Sequence, residues 1–303
     1  MTVIQCEHLT KRYGKFHALN DVSLTIEGKK ITGLIGRNGA GKTTLLKCIA
    51  GLYRKTSGEL KVFGENPFNS LYVSENCIYV SDEMSFPATL SLEQLLDMAS
   101  VFYKNWDAQL AKRLFDYFSL NPNQSHHRLS KGMKSTFNMI VGLASRCELT
   151  LFDEPTTGMD EAVRQDFYRA VLKDYLQNPR TIIISSHHLN EIEHLLEDVL
   201  VLKEGKPLLH IPMSELKEYA IGIQGDSLLV AEWCQNREVI FTKVIGSDKR
   251  YAVVKNHVTK SDIHRAKMEG LQVMPVSPSD LCVYLTNKRQ GGIDDVFRKD
   301  ELV

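Results

Sequence analysis

The sequence GRNGAGKTT at residues 36–44 constrains the fold more than any other part of the chain. It directly follows the apolar run 31–35, and the residues after it, LLKCIAGL, carry apolar side chains at helical spacing. The pattern G-x-x-x-x-G-K-T, from Gly36 to Thr43, is typical of a loop between a strand and a helix whose backbone N–H groups surround a polyphosphate. We therefore expect an α/β fold with a nucleoside triphosphate site at this loop.

The side chains of this loop predict how the nucleotide is held. Lys42 is expected to bridge the β- and γ-phosphates as a point charge, and Thr43 to offer its hydroxyl to Mg²⁺. The positive end of the following helix adds to the attraction for phosphate. The loop positions predicted to contact the nucleotide are Gly36, Asn38, Gly39, Ala40, Gly41, Lys42, Thr43 and Thr44.

Two adjacent carboxylates end a second apolar run, LTLFDEP at 149–155. Asp153 is suited to hold Mg²⁺, and Glu154 to orient and deprotonate an attacking water. An acidic pair after a strand also occurs where a helix begins, so the pair by itself leaves both interpretations open.

Several motifs in a fixed order resemble those of the ATP-binding subunits of ABC transporters. Besides the glycine loop and LFDEP, the chain has LSKGM (129–133), PTTGMD (155–160) and ISSH (184–187). These are similar to the family's signature sequence, D-loop and switch histidine. Tyr13 lies where the family stacks an aromatic ring on adenine. The resemblance covers about residues 2–205.

The resemblance implies a fold and a mechanism. The fold would be an ABC-type P-loop NTPase, with a RecA-like core, an antiparallel β subdomain and an α-helical signature subdomain. Two such subunits would sandwich two ATP, so that Ser130 and Gly132 reach the γ-phosphate of the nucleotide held by the partner. Glu154 would be the general base, and His187 would contact the γ-phosphate and the attacking water. Asp160 would connect the two sites. An ordinary capping role for His187 stays open.

Two positions depart from the family pattern. Lys131 replaces the first of two adjacent signature glycines, and we consider either a contact with the partner's phosphates or a solvated lysine with no role. In YVSDE, Asp82 stands where the family commonly has a glutamine that binds Mg²⁺, so Asp82 is a third candidate ligand beside Thr43 and Asp153.

The segment after Asp82 offers a candidate docking patch. Met84, Phe86 and Leu90 are predicted in a surface loop, where they would contact a cytoplasmic helix of a membrane partner or pack on the chain's own helices.

Two regions follow from the pattern of apolar runs. We expect an ATP-binding domain at 1–205 and a small α+β accessory domain at 206–303. In the first, the alternation in DVSLTIEG predicts an antiparallel strand, and further strands are expected at 31–35, 77–81, 149–153, 181–185 and 198–203. Helices are expected near 91–103, 108–119, 131–145, 161–177 and 189–196. In the second, GSDK predicts a hairpin turn, with helices near 261–268 and at SPSDLCVYL. The tail 287–303 is polar.

Composition and charge limit the kinds of partner that this chain can bind. The 303 residues carry 37 Lys and Arg against 37 Asp and Glu, so the formal net charge is zero and we expect no nucleic acid partner. The six cysteines have no metal-ligand spacing, as expected for free thiols in a reducing compartment. No run approaches the ~18 apolar residues of a spanning helix. We therefore expect a cytoplasmic chain that reaches the inner face of the membrane through a partner.

The functional expectation is an ATPase subunit that binds ATP and Mg²⁺, dimerises with a second copy or a homologue, and drives a separate membrane permease. The short C-terminal extension and the K-G-M form of the signature resemble members that serve exporters of antimicrobial or amphipathic peptides, drugs or lipids. With Lys131 and Asp82 altered, the alternative is a catalytically weak partner of an active subunit. A GTPase is excluded because the chain has no N-K-x-D element.

Overall fold

The computed structural model describes residues 1–287, which form two compact units, the first Met1–Met213 and the second beginning at Ser214. A 3-10 helix covers His126–Arg128. The other helices and strands of the first unit are β1 (Thr2–Tyr13), β2 (Phe16–Glu27), β3 (Ile31–Ile35), α1 (Lys42–Ile49), β4 (Ser57–Val62), α2 (Leu71–Asn76), β5 (Cys77–Ser81), α3 (Leu92–Phe102), α4 (Ala108–Tyr117), α5 (Lys131–Ala144), β6 (Leu149–Asp153), α6 (Glu161–Gln177), β7 (Thr181–Ser186), α7 (Leu189–Ile192), β8 (Asp198–Lys203) and β9 (Lys206–Pro212).

A six-stranded sheet forms the centre of the first unit, in the order β5-β6-β7-β3-β8-β9. The strands from β5 to β8 run parallel, and β9 is antiparallel to β8. Strands β3, β6 and β7 are buried along their whole length, which explains their continuous apolar sequences. Because β6, β7 and β3 are neighbours and parallel, the segments that follow their carboxyl ends meet at one edge of the sheet.

A second sheet of the first unit is antiparallel, in the order β2-β1-β4. One face of β1 and β2 is buried, with side chains such as Ile4, Leu9 and Val22 in one cluster with Leu45 and Leu46 of α1. This burial holds the start of α1, and with it the glycine loop, against the antiparallel sheet. The predicted antiparallel subdomain is confirmed.

The helices between β5 and β6 begin at side-chain caps. Ser91 caps α3 in a capping box with Gln94, Asp107 caps α4, and Ser130 caps α5. Helices α3, α4, α5 and α6 begin and end within about two residues of their predicted bounds. Helix α7 ends at Ile192 and not near 196, and α2 was not predicted.

The first unit extends past the predicted boundary between residues 205 and 206. Gly205, with a φ of +76°, forms the turn into β9, whose residues pair with β8 from Lys203↔Lys206 to Asp198↔Pro212. This pairing could not be predicted from the residues, because a glycine turn followed by a change of pattern also marks a linker.

The elements from α8 onward are α8 (Met213–Glu218), β10 (Ala220–Asp226), α9 (Ser227–Cys234), β11 (Val239–Ile245), β12 (Lys249–Lys255), α10 (Lys260–Met268), β13 (Gln272–Pro275) and α11 (Pro278–Thr286). The second unit contains one four-stranded antiparallel sheet in the order β11-β12-β10-β13, with helices packed on it. The expected hairpin turn joins β11 to β12 after Ile245, and both expected helices are present. Residues 288–303, most of the polar tail, lie outside the described residues.

Two further features of the described residues are the character of the helices and the state of the cysteines. Over residues 1–287, no helix combines the length and apolar character that crossing a membrane requires. All six cysteines are free thiols, and five of them are buried.

A buried histidine makes the stability of the first unit depend on pH. His126 Nε2 donates a hydrogen bond to Asn138 Oδ1 at 2.9 Å, and the ring packs edge-on against Phe86 at 4.9 Å. Burial lowers the pKa of His126 below its ordinary 6.5. The unfolded chain therefore binds a proton that the folded chain does not, so stability is lost as the pH falls below about 6.5, by up to ~1.4 kcal/mol per pH unit.

Chemical unfolding at several pH values between 7.5 and 5 measures this dependence. We expect His126→Gln, whose amide can still donate to Asn138, to flatten the dependence, and the exposed His127→Gln to leave it as it is. Equal slopes in wild type and His126→Gln would contradict the assignment.

Candidate nucleotide site

The glycine loop lies between β3 and α1, as predicted. Gly41 has a φ of +105°, and a Cβ there would lie 2.5 Å from the carbonyl oxygen of Ala18. A Cβ on Gly36 would lie 2.6 Å from the carbonyl oxygen of Leu202. Both glycines are therefore required by the close approach of neighbouring backbone, whereas Gly39 is required by its φ of +81° alone.

Lys42 is buried beneath this loop. Its Nζ donates a hydrogen bond to the carbonyl oxygen of Gly36 at 2.7 Å and lies 3.2 Å from Glu154 Oε1. Only 6% of its side chain is exposed, so the ammonium is held where the glycine loop and the end of β6 meet. Thr43 is exposed at the start of α1, as a hydroxyl that contacts a bound ion must be.

Asp153, the last residue of β6, is buried with two neutral hydroxyl partners. Ser185 Oγ donates to Asp153 Oδ1 at 2.6 Å, and the Tyr79 hydroxyl donates to Oδ2 at 2.8 Å. Burial and the nearby Asp153 charge raise the pKa of Tyr79, so the phenol stays protonated and donates. Sequence reasoning missed Tyr79 and Ser185. Only the register of the strands could have indicated them. It sets Ser185 of β7 and Ser81 of β5 opposite Asp153, and Tyr79 lies two residues before Ser81 on β5.

Glu154 is the point where the site residues converge. Its Oε2 lies 2.8 Å from His187 Nδ1, and its backbone N–H donates to Ser185 Oγ at 2.9 Å. Its φ of +46° lies in the left-handed region, an uncommon conformation for a residue other than glycine and one that is concentrated at functional sites. The structure thus brings Lys42, Glu154 and His187 into one chain of contacts.

Tyr13 lies at the end of β1, half exposed, with its ring edge-on to Tyr53 at 6.3 Å between centroids. Burial raises the pKa of Tyr13, although a hydrogen bond with Thr44 of α1 opposes this. The contact with Thr44 places an aromatic surface beside the glycine loop, where the family resemblance expects adenine.

The signature residues lie at the start of α5, packed against the D-loop. Ser130 is exposed and accepts a hydrogen bond from the Met133 N–H at 3.3 Å. Ser135 Oγ donates to the carbonyl oxygen of Thr157 at 2.8 Å. Asp160 is exposed and caps α6 by accepting from the Val163 N–H. Ser130 and Asp160 therefore present their side chains at the surface, at the ends of two helices that touch.

Gly132 allows this packing, and its replacement should damage it. A Cβ on Gly132 would lie 2.4 Å from the carbonyl oxygen of Gly158, which is backbone and cannot simply turn away. We expect Gly132→Ala to destabilise the unit by about 1–3 kcal/mol and to lower the ATPase rate, because the signature and the D-loop are pushed apart.

Thermal unfolding and steady-state ATPase assays measure both effects, and Gly64→Ala is the control. Gly64 has a φ of +83° and nothing within 4 Å of the added Cβ, so this variant loses roughly 1–2 kcal/mol through backbone strain alone, without a clash, and should keep its activity. Full activity in Gly132→Ala would contradict the expectation.

The two departures from the family pattern contact each other. Lys131 Nζ lies 3.2 Å from Asp82 Oδ2. The expectations of a partner's phosphate for Lys131 and of magnesium for Asp82 stay predictions. Phe86 packs on His126 and Phe137, while Met84 and Leu90 are half-buried, so at least Phe86 has a packing role within the chain.

The residues present fit a nucleotide with its magnesium ion. The glycine loop leaves no room for a Cβ at two of its positions, as a cradle of backbone amides requires. Glu154 Oε1 is buried and faces the Lys42 ammonium at 3.2 Å, but it accepts no hydrogen bond of good geometry from residues 1–287. Asp153 has neutral hydroxyl partners, so its charge is available to a hard cation. The fold and these contacts define a P-loop ATPase site.

Comparisons with known proteins identify the family. The family model described as "ABC transporter" matches residues 19–157. The ABC transporter ATP-binding protein YtrB of Bacillus subtilis (strain 168) is 32% identical over 73% of this chain and 76% of its own length. The bacitracin transport ATP-binding protein BcrA of Bacillus licheniformis is 30% identical over 72% of each chain.

Among solved structures, an ATP-binding cassette solved as a dimer in a post-hydrolysis state with ADP and phosphate has a TM-score of 0.61 at 19% identity, over 69% of this chain and 98% of that one. At this identity the likeness supports the fold alone. The chain belongs to the ATP-binding proteins of ABC transporters and is an ATPase subunit of a transporter.

Proposed function

We propose that two of these subunits close around two ATP molecules and drive a separate membrane permease that exports its substrate. The observation that carries the proposal is the contact chain Lys42–Glu154–His187 beside the glycine loop. An ammonium, a carboxylate and an imidazole thus lie together at one edge of the sheet, where they would serve as the cation for phosphate, the base and a phosphate ligand. The nucleotide would be held by the loop residues 36–44, with Tyr13 against adenine.

Glu154 is the proposed general base. One of its oxygens contacts His187 and the other faces Lys42, so the carboxylate is oriented from both sides. A water between Glu154 and the γ-phosphate would lose a proton to the carboxylate as it attacks, and His187 would hydrogen-bond the phosphate. Magnesium, held by Thr43 and Asp153, would supply charge neutralisation between the phosphates.

The second half of each site comes from the partner subunit in this proposal. Ser130 and Gly132, at the amino end of α5, would donate to the γ-phosphate across the interface, and Asp160 would link the two sites. The exposure of Ser130 and Asp160 at the surface of the single subunit agrees with such a role. A cassette of similar fold was solved as a dimer with ADP and phosphate.

The transport role rests on the relatives' names. BcrA and a lantibiotic transport ATP-binding protein of Streptococcus pyogenes point to peptide antibiotics as the class of cargo, and hence to export. The subunit would act at the inner face of the membrane, bound to its permease. The partner subunit would be a second copy or a homologue.

Steady-state Mg-ATP hydrolysis, measured over a range of protein concentrations with Glu154→Gln as the blank, tests the proposal. A rate that rises faster than linearly with concentration is expected, because each working site needs two subunits. A rate strictly proportional to concentration, from a protein that stays monomeric with Mg-ATP, would contradict the shared site. A rate no higher than the blank at every concentration would favour an unequal mate or a requirement for the permease, and would strengthen the alternative of a catalytically weak partner.

A further inference from the structure

Lys131 occupies an unfavourable position for a cation. It is the first residue of α5, where the unpaired backbone N–H groups give the helix a positive end. A lysine there is repelled by the helix unless an anion lies nearby. The carboxylate of Asp82, with its Oδ2 at 3.2 Å from Nζ, is that anion.

The backbones that carry this pair are fixed on both sides. Asn138 of α5 donates to the carbonyl oxygen of Ser81, the residue before Asp82, at 3.0 Å. Ser135 of α5 donates to the carbonyl oxygen of Thr157 in the D-loop. The end of β5, the first turns of α5 and the D-loop are therefore joined by hydrogen bonds, and the pair closes the same junction at the surface.

The stem of Lys131 also covers the D-loop. A Cβ placed on Gly158 would lie 2.9 Å from Lys131 Cγ, so the methylene groups pass directly over this glycine. Gly158 in turn limits the space at Gly132. The direction in which Lys131 extends therefore affects both the signature turn and the D-loop.

The residue after Asp82 is anchored in the opposite direction. Glu83 Oε2 lies 2.7 Å from Nζ of Lys47, a largely buried lysine on α1. Two consecutive carboxylates thus hold lysines from two helices, one that begins at the glycine loop and one that begins at the signature.

We propose that Asp82 and Lys131 are a positioning pair: the carboxylate fixes the direction of Lys131, which sets the first turn of α5 and the D-loop in place for the partner subunit's nucleotide. In this role neither side chain contacts magnesium or phosphate. For Asp82 to bind magnesium instead, its carboxylate would have to give up the ammonium. The effect on dimer activity rests on the function proposed above.

The exposure of the pair sets the size of the effect. The side chain of Lys131 is 61% exposed and that of Asp82 is 34% exposed. Exposed ion pairs change an equilibrium by factors of about two to five. The pair therefore biases the orientation of the signature turn and does not lock it. Adding salt should weaken the bias, because surface charges are screened.

A charge swap separates positioning from direct contact. We would compare Asp82→Lys, Lys131→Asp and the double variant by hydrogen exchange of the D-loop amides at 156–160 in the nucleotide-free subunit, and by ATPase activity at a fixed protein concentration. Each single variant places like charges together. We expect D-loop exchange to be about two- to fivefold faster and the rate about two- to fivefold lower, with the double variant near wild type in both.

Either of two results with the variants would show that one residue of the pair acts by a contact of its own, and would overturn the proposal. In the first, the double variant is no better than the worse single variant, which means that a lysine is needed at 131 for its own contact. In the second, Asp82→Asn raises the magnesium concentration for half-maximal rate, which means that Asp82 is a ligand. The swap of Glu59 with Lys61, another exposed pair on β4, is the control and should change neither readout.

Failure of the proposed function gives a different result. In that case the wild type hydrolyses ATP no faster than Glu154→Gln, while the hydrogen exchange of the single and double variants still reports on the pair, because it is measured without nucleotide. Unchanged exchange in both single variants would overturn the positioning role whatever the activity.

Discussion

Glu154→Gln is expected to abolish ATP hydrolysis and to leave ATP binding intact. Glutamine keeps the size of the side chain and an oxygen that can face His187, but it cannot accept a proton from water. General base catalysis contributes about 10²–10⁴-fold to a rate, so a loss of that size is expected. Because binding is kept and hydrolysis is not, the variant should accumulate as an ATP-bound dimer.

Phosphate release and light scattering, with and without Mg-ATP, measure the two effects. Glu59→Gln is the matched control, because it makes the same change at an exposed carboxylate on β4, and it should hydrolyse ATP like the wild type. A residual rate within about threefold of wild type would remove Glu154 from the role of base and with it the basis of the proposed mechanism.

Lys42→Ala is expected to cost both ATP affinity and hydrolysis. The ammonium is buried, contacts the Gly36 carbonyl oxygen and faces Glu154, so its loss leaves a carboxylate without its cation and the loop without its point charge. Losing one charged partner of a desolvated contact between a protein and its ligand costs about 2–5 kcal/mol of binding free energy, so loss of the Lys42 contact with phosphate corresponds to at least ~30-fold in ATP affinity.

Titration with a fluorescent ATP analogue measures the affinity, and Lys61→Ala on the exposed β4 is the control. We expect Lys42→Arg to fail as well, because a planar guanidinium needs more room than the buried ammonium occupies. Wild-type affinity in Lys42→Ala would mean that the nucleotide is held elsewhere.

The parts of the fold that follow from one segment were predictable. Strands such as β3 and β6 are continuous apolar runs because both faces of a parallel sheet are covered, and they were placed to the residue. Strands β4 and β9 were not predicted. Both are short and partly exposed, so their sequences lack a clear period, and their pairing with distant segments determines their conformation.

The residues of the site also divide into those that a local motif predicts and those that only the folded structure brings together. The residues of the glycine loop and Glu154 lie within motifs whose spacing carries the chemistry. The hydroxyls of Tyr79 and Ser185 reach Asp153 only through the register of three neighbouring strands. The Asp82–Lys131 contact depends on how α5 packs beside β5. Contacts of this kind arise from packing between segments far apart in sequence, and no local sequence pattern predicts them.

The left-handed backbone at Glu154 has a consequence for how such subunits change over generations. A glycine adopts this φ of +46° freely, whereas glutamate pays roughly 1–2 kcal/mol for it. Mutation toward glycine at this one codon would relieve that backbone strain, but it would also remove the proposed base and leave the buried Lys42 ammonium without its anion, so the subunit would no longer hydrolyse ATP. In duplicated subunits that keep only a binding role, this glutamate should be among the first residues to be lost.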